Sequence, residues 1–120
     1  MSELPAHCAP CRQDAKPFER GEAAERMQHV PGWTLDFPRL RREFELKDFR
    51  AALAWTNRVG MLAEEAGHHP DVHLTRWNRV ELVLYTHAIG GLHENDFVLA
   101  REIGRLWERF AEGGGSPSRR

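Results

Sequence analysis

The apolar residues of this chain switch their spacing in a regular alternation, and that alternation restricts the fold more than any other feature. Ala23, Met27 and Val30 sit three and four apart in a segment from Glu19 to His29, which Pro31-Gly32 ends. Trp33, Leu35 and Phe37 then alternate with Thr34 and Asp36. Leu40, Phe44 and Leu46 continue period two beyond a turn at Pro38-Arg39, so the two runs predict an antiparallel hairpin. From Lys47 to Ala66 the helical period returns, with Phe49, Ala52, Leu53, Thr56, Val59, Gly60 and Ala63 on one face. Gly60 in that stripe predicts close approach of another backbone, and Gly67 and Pro70 stop the helix. Val72 to Trp77 and Val80 to Thr86 predict a second hairpin. In its second strand Val80, Leu82 and Leu84 share one face, and Glu81, Val83, Tyr85 and His87 share the other. After Gly90-Gly91 a last helix runs from Glu94 to Glu112, with Leu99, Ile103, Leu106 and Phe110 as its apolar stripe.

The resulting order is α-β-β-α-β-β-α. Hairpins interleaved with helices give an α+β fold, an antiparallel four-stranded sheet with helices packed on one face. The other face or an edge of the sheet then needs cover, which a homo-oligomer supplies. The predicted domain is 19–112. Residues 1–18 read as an extended N-terminal arm, and 113–120 (GGGSPSRR) as a disordered tail.

Composition narrows the function classes. At 120 residues with 41% hydrophobic side chains, the chain has material for one modest core. A net charge of -1 leaves no electrostatic footprint for nucleic acid or an anionic membrane. No run reaches the length of a membrane span, and the start lacks the pattern of a secretory signal, so the expected location is cytoplasmic. Cys8 and Cys11 are the only cysteines and build no disulfide framework. With His7 they form H-C-x-x-C, one ligand short of a structural zinc site, so reduced thiols are the expected state and no metal is assigned.

Histidine is the unusual residue. There are 7, and His68, His69, His73 and His87 lie close together in sequence, followed by His93. Imidazole titrates near neutral pH without help from its surroundings. A plain reading exists for each neighbour. His68-His69 suits the negative end of a helix. Asp96 suits a capping box, with His93 at the cap position. Trp77 suits a core or an interface. A metal site from His68, His69, His73 and His87 lacks a recognised ligand spacing.

The joint spacing says more than any one residue. Glu64, three residues, His68-His69-Pro70, six residues, Trp77, nine residues, His87, eight residues and Asp96 form one spaced string. It resembles the signature of the pterin-4a-carbinolamine dehydratase family, and the flanks AALAWTNRVGMLAEEAGHHPD, VELVLYTHAIGGLHENDFVLA and VPGWTL are similar to stretches in bacterial members. The resemblance covers Ala24 to Phe110, and Cys-x-Pro-Cys in the arm is similar to a subgroup. It implies dehydration of a 4a-hydroxytetrahydropterin to quinonoid dihydropterin, recycling a pterin cofactor for a pterin-dependent hydroxylase. The chain itself needs no cofactor and no metal for this. One group must protonate the leaving hydroxyl and another must take the ring proton, tasks suited to imidazoles.

By the same resemblance His68, His69 and His87 line the pterin pocket, His68 and His87 moving protons and His69 holding substrate. Asp96 orients an imidazole or binds a ring N–H, Glu64 orients His68, Pro70 belongs to the motif, and Trp77 packs on the ring or walls the pocket. His73 and His93 fall outside the signature and are expected to be exposed. The implied assembly is a homodimer or homotetramer. Mammalian members double as dimerisation cofactors of a homeodomain transcription factor, so a non-catalytic pterin-binding or partner-binding accessory role, transcriptional or related to molybdenum-pterin, is the alternative.

Overall fold

The alternation of periods becomes a four-stranded antiparallel sheet covered on one face by helices. A computed structural model describes residues 4–6 and 15–112. In chain order the elements are α1 (Arg20–Arg26) running into a 3-10 turn (Met27–His29), β1 (Thr34–Asp36), β2 (Arg39–Glu45), α2 (Phe49–Ala66), β3 (Asp71–Thr75), β4 (Arg79–Leu84), a second 3-10 turn (His87–Ile89) and α3 (Glu94–Glu112). The strands lie in the order β1-β2-β4-β3, so β2 and β4 are central and β3 is an edge.

Register explains which face is covered. Leu40 pairs with Leu84 and Phe44 with Val80 across β2 and β4. Together with Leu46 and Leu82 these side chains are buried beneath the helices. The alternate positions carry charge. Arg41 lies 3.6 Å from Glu81, and Arg79 lies 3.4 Å from Glu43. The second face therefore carries cross-strand ion pairs that water can solvate, together with the apolar Val83. The edge strand β3 does remain exposed along most of its length.

α2 begins at Asp48, whose carboxylate accepts from the Ala51 amide at 2.8 Å, and ends at left-handed Gly67. Its buried stripe is Ala51, Ala52, Trp55, Val59 and Ala63. The helix is thus rotated from the stripe read in the sequence, and Phe49 and Leu53 point outward. The fully buried indole of Trp55 sets this rotation. Its ring lies 5.0 Å from Phe44, 4.9 Å from Trp107 and 5.2 Å from Phe110, one aromatic cluster joining sheet, α2 and α3. A Cβ at Gly60 would touch nothing, so among the described residues no backbone approaches it.

The β3–β4 hairpin also ends sooner than the sequence suggests. Arg76 and Trp77 both adopt positive φ (52° and 60°), which takes Trp77 out of the strand and into the turn. The turn is tied down by Asn78, whose side chain donates to the Leu46 carbonyl at 3.0 Å. Residues 4–6 lie against α3, where the Arg101 guanidinium donates to the carbonyls of Pro5 and Ala6. Cys8, Cys11 and the C-terminal tail fall outside the described residues. Among those described, no helix is long and apolar enough to cross a membrane.

The Trp55 indole N–H is buried without a hydrogen-bond partner among the described residues. Trp55→Ala should therefore cost about 3–5 kcal/mol, whereas Trp55→Phe should cost much less, keeping an aromatic ring and removing an unsatisfied donor. Urea unfolding of the two variants checks the contrast, and equal losses would contradict it.

Candidate active site

Three chain segments converge on one buried carboxylate. Asp96, in the first turn of α3, is fully buried. His68 Nε2 lies 2.6 Å from its Oδ1, the Thr86 hydroxyl donates to Oδ2 at 2.7 Å, and the His93 amide donates to Oδ2 at 2.9 Å. An ionised carboxylate only accepts, so the proton of the neutral His68 ring sits on Nε2 and Nδ1 keeps its lone pair. Three donors thus answer one carboxylate, and hydrogen bonds to an ionised group are stronger than neutral ones.

Each partner arrives there for a local reason. The left-handed turn at Gly67 reverses the chain after α2, and the His68 amide bonds back to the Ala63 carbonyl at 3.2 Å. Consecutive side chains then diverge. His68 turns inward and its side chain is 11% exposed, while His69 turns outward at 64%. Glu64 lies 2.9 Å from His69 Nε2 rather than beside His68, because the i to i+4 geometry of a helix does not continue through its left-handed cap. The carboxylate that orients His68 is Asp96.

The contact with His68 and the cap of α3 meet in the one side chain of Asp96. Oδ2 receives the His93 amide as the returning half of a capping box, and His93 Nδ1 accepts from the Asn95 amide at 3.1 Å as the cap itself. His93 is thereby half-buried instead of exposed. His73 on the edge strand is exposed.

His87 reaches the same region by another route. It is not on β4 but opens the 3-10 turn that follows, so strand parity does not set its direction. Thr86 and Gly91 close this loop as an isolated antiparallel bridge, and His87 stands exposed with its ring edge-on to Tyr85 at 4.9 Å. Thr86 thus bonds Asp96 through its side chain while its neighbour is His87, which links the two imidazole segments. Nothing in the sequence marked Thr86, a lone hydroxyl beside a histidine. The loop is braced from outside by the arm. The Phe18 amide donates to the Leu92 carbonyl at 2.8 Å, and Pro17 packs so closely that a Cβ at Gly91 would lie 2.6 Å from it.

Pro70 is half-buried just before β3. Trp77 is 54% exposed at the far end of the β3–β4 hairpin. Five strand residues at about 3.3 Å each separate it from the His68 end, so one chain does not bring Trp77 to the cluster. Among the described residues, no three His, Cys, Asp or Glu side chains gather as metal ligands would.

Known proteins bear on the family and the fold. The family model for pterin 4 alpha carbinolamine dehydratase matches residues 16–106. A Rubrobacter xylanophilus protein, whose name assigns it provisionally as a pterin-4-alpha-carbinolamine dehydratase, is 47% identical over 88% of this chain and all of its own length. The Arabidopsis thaliana protein named pterin-4-alpha-carbinolamine dehydratase 2, mitochondrial, is 43% identical over 82% of this chain and 56% of its own. A Brucella melitensis structure described as a transcriptional coactivator/pterin dehydratase superposes with a TM-score of 0.68 at 29% identity, covering 76% of this chain and 98% of that one. By sequence and by fold, the chain belongs to the pterin-4-alpha-carbinolamine dehydratase family.

Proposed function

We propose that this protein dehydrates a 4a-hydroxytetrahydropterin to quinonoid dihydropterin by imidazole acid–base chemistry. The observation that carries the proposal is the His68–Asp96–Thr86 chain of hydrogen bonds, which joins His68 to the loop presenting His87. Asp96 holds the His68 Nε2–H, so Nδ1 is the basic atom and accepts the proton of the pterin N5. The electron pair of the N5–H bond forms the C4a–N5 double bond as the C4a–O bond breaks. His87, exposed to solvent, donates a proton to the departing oxygen, which leaves as water. Transfer of a proton from His68 to His87 through solvent restores both rings. The imidazolium formed at His68 faces the buried Asp96 carboxylate, which holds the ring and stabilises its charge.

His69, paired with Glu64 in the open, suits a substrate-holding role at the rim, and Pro70 fixes the backbone beside it. Trp77 belongs to the pocket only if another subunit supplies it, which makes the homodimer or homotetramer part of this reading. The cytoplasm is the proposed compartment.

The accessory reading keeps one supporting observation. Phe49, Leu53 and Met61 are exposed on the outer side of α2, an apolar row suited to a protein partner.

Turnover of a 4a-hydroxytetrahydropterin generated in situ tests the reaction. His68→Ala and His87→Ala should each lower kcat by about 10²–10⁴-fold. No acceleration over buffer by the folded wild type would favour the accessory reading. Asp96→Asn should cost about 10–100-fold, the loss of one strong charge-assisted hydrogen bond, and should also lower Tm because the same group caps α3. Glu64→Ala should change turnover by only a few-fold, since an exposed pair contributes little. A collapse of activity in that variant would place Glu64 in the chemistry.

A further inference from the structure

β2 carries a charge where its period calls for an apolar side chain. Leu40, Phe44 and Leu46 face the helices, and Arg42 occupies the position between them. Its guanidinium reaches toward α3 over the Phe44 ring, 4.7 Å from the centroid. Gly32 and Gly104 make room for it. A Cβ at Gly32, where φ is +90°, would lie 2.8 Å from Arg42 Cζ, and one at Gly104 would lie 3.5 Å from Nη1.

This cation is poorly satisfied. Of its five N–H donors, one makes a long bond to the Pro31 carbonyl at 3.5 Å, and among the described residues Arg42 forms no ion pair. Burial disfavours its charged form, and the Glu108 carboxylate only partly offsets this through space. The group is half-buried, so water reaches part of it and an anion entering beside it would answer donors that the protein leaves open. A second polar group on the same cavity wall lacks a partner, since His29 Nε2 is buried with no hydrogen-bond partner among the described residues.

Both groups line one cavity of about 740 Å³, together with Pro31, Arg101, Arg105 and Glu108. That volume suits a small organic ligand. Its walls come from the turn after α1, from β2 and from α3, and none belongs to the His68–Asp96 cluster. Arg101 and Arg105 already pair with Glu102 at 3.0 and 2.9 Å, which leaves Arg42 as the cation in need of an anion.

We propose that this cavity is a second ligand site, which takes a small organic oxyanion, a carboxylate or a phosphate, on Arg42, with a hydrogen-bonding group of the same ligand on His29. Leu4 forms part of the wall, and the Arg101 guanidinium holds the neighbouring Pro5 and Ala6 carbonyls, so the arm helps to close the site. Glu108 favours a singly charged ligand end.

The test is a titration of the full-length protein with inorganic phosphate and, separately, with acetate, followed by ¹⁵N NMR. Saturable shifts confined to the Gly32 and Gly104 amides, the Arg42 Nε–H and the His29 ring are expected with at least one probe, and the probe that saturates distinguishes phosphate from carboxylate. Arg42→Gln should weaken binding about tenfold or more. Glu108→Gln, at an exposed position where folding is not at stake, should tighten it several-fold by removing a competing charge. Shifts that are dispersed, unsaturated or unchanged in Arg42→Gln would overturn the proposal, as would weaker binding in Glu108→Gln.

Discussion

Burying a carboxylate is unfavourable unless every acceptor site is answered, and the architecture around Asp96 follows from that requirement. His68 comes from the exit of α2, Thr86 from the exit of β4 and the His93 amide from the entrance of α3. Removing any one donor would leave a buried charge short of a partner, at a cost that rises in a low-dielectric interior. Three otherwise separate element ends are therefore held in register by one side chain, which the sheet alone does not do. The same constraint makes the candidate chemistry rigid, because the imidazole is held by a group that cannot move without unmaking the helix cap.

Much of this was legible in the sequence, and the limits were physical. Period two and period 3.6 report which residues share a face, so the hairpins, the helices and the covered face of the sheet could be read. Period does not report how far a helix rotates about its axis. Phe49 and Leu53 fit the α2 period as well as Trp55 does, and only packing against Phe44, Trp107 and Phe110 decides between them. Trp77 continues the strand pattern in the sequence, and nothing there marks it for positive φ, where hairpin turns usually favour Asn or Gly.

The site shows the same division. Joint spacing singled out His68, His87 and Asp96, and the structure brings His68 and Asp96 into contact. It could not assign partners. Glu64 stands four before His68, the spacing of neighbours on a helix, yet the left-handed residue between them hands that contact to His69. The His93 amide on Asp96 is the capping box that the sequence suggests, whereas Thr86 is invisible there because hydroxyls occur everywhere and only convergence gives it meaning. Arg42 breaks the apolar period of β2, and a charge at such a position of a central strand is itself a signal.

The contact between Pro17 and Gly91 carries a consequence of a different kind. No side chain at position 91 fits while Pro17 stays where it is. The two positions, far apart in the chain, are thus bound by a shared steric ledger. A variant can acquire an alanine at 91 only in a background whose arm has already let go, and a chain that loses the arm is released from keeping the glycine. Their histories of substitution should be paired, and the order in which the two changes are accepted should matter.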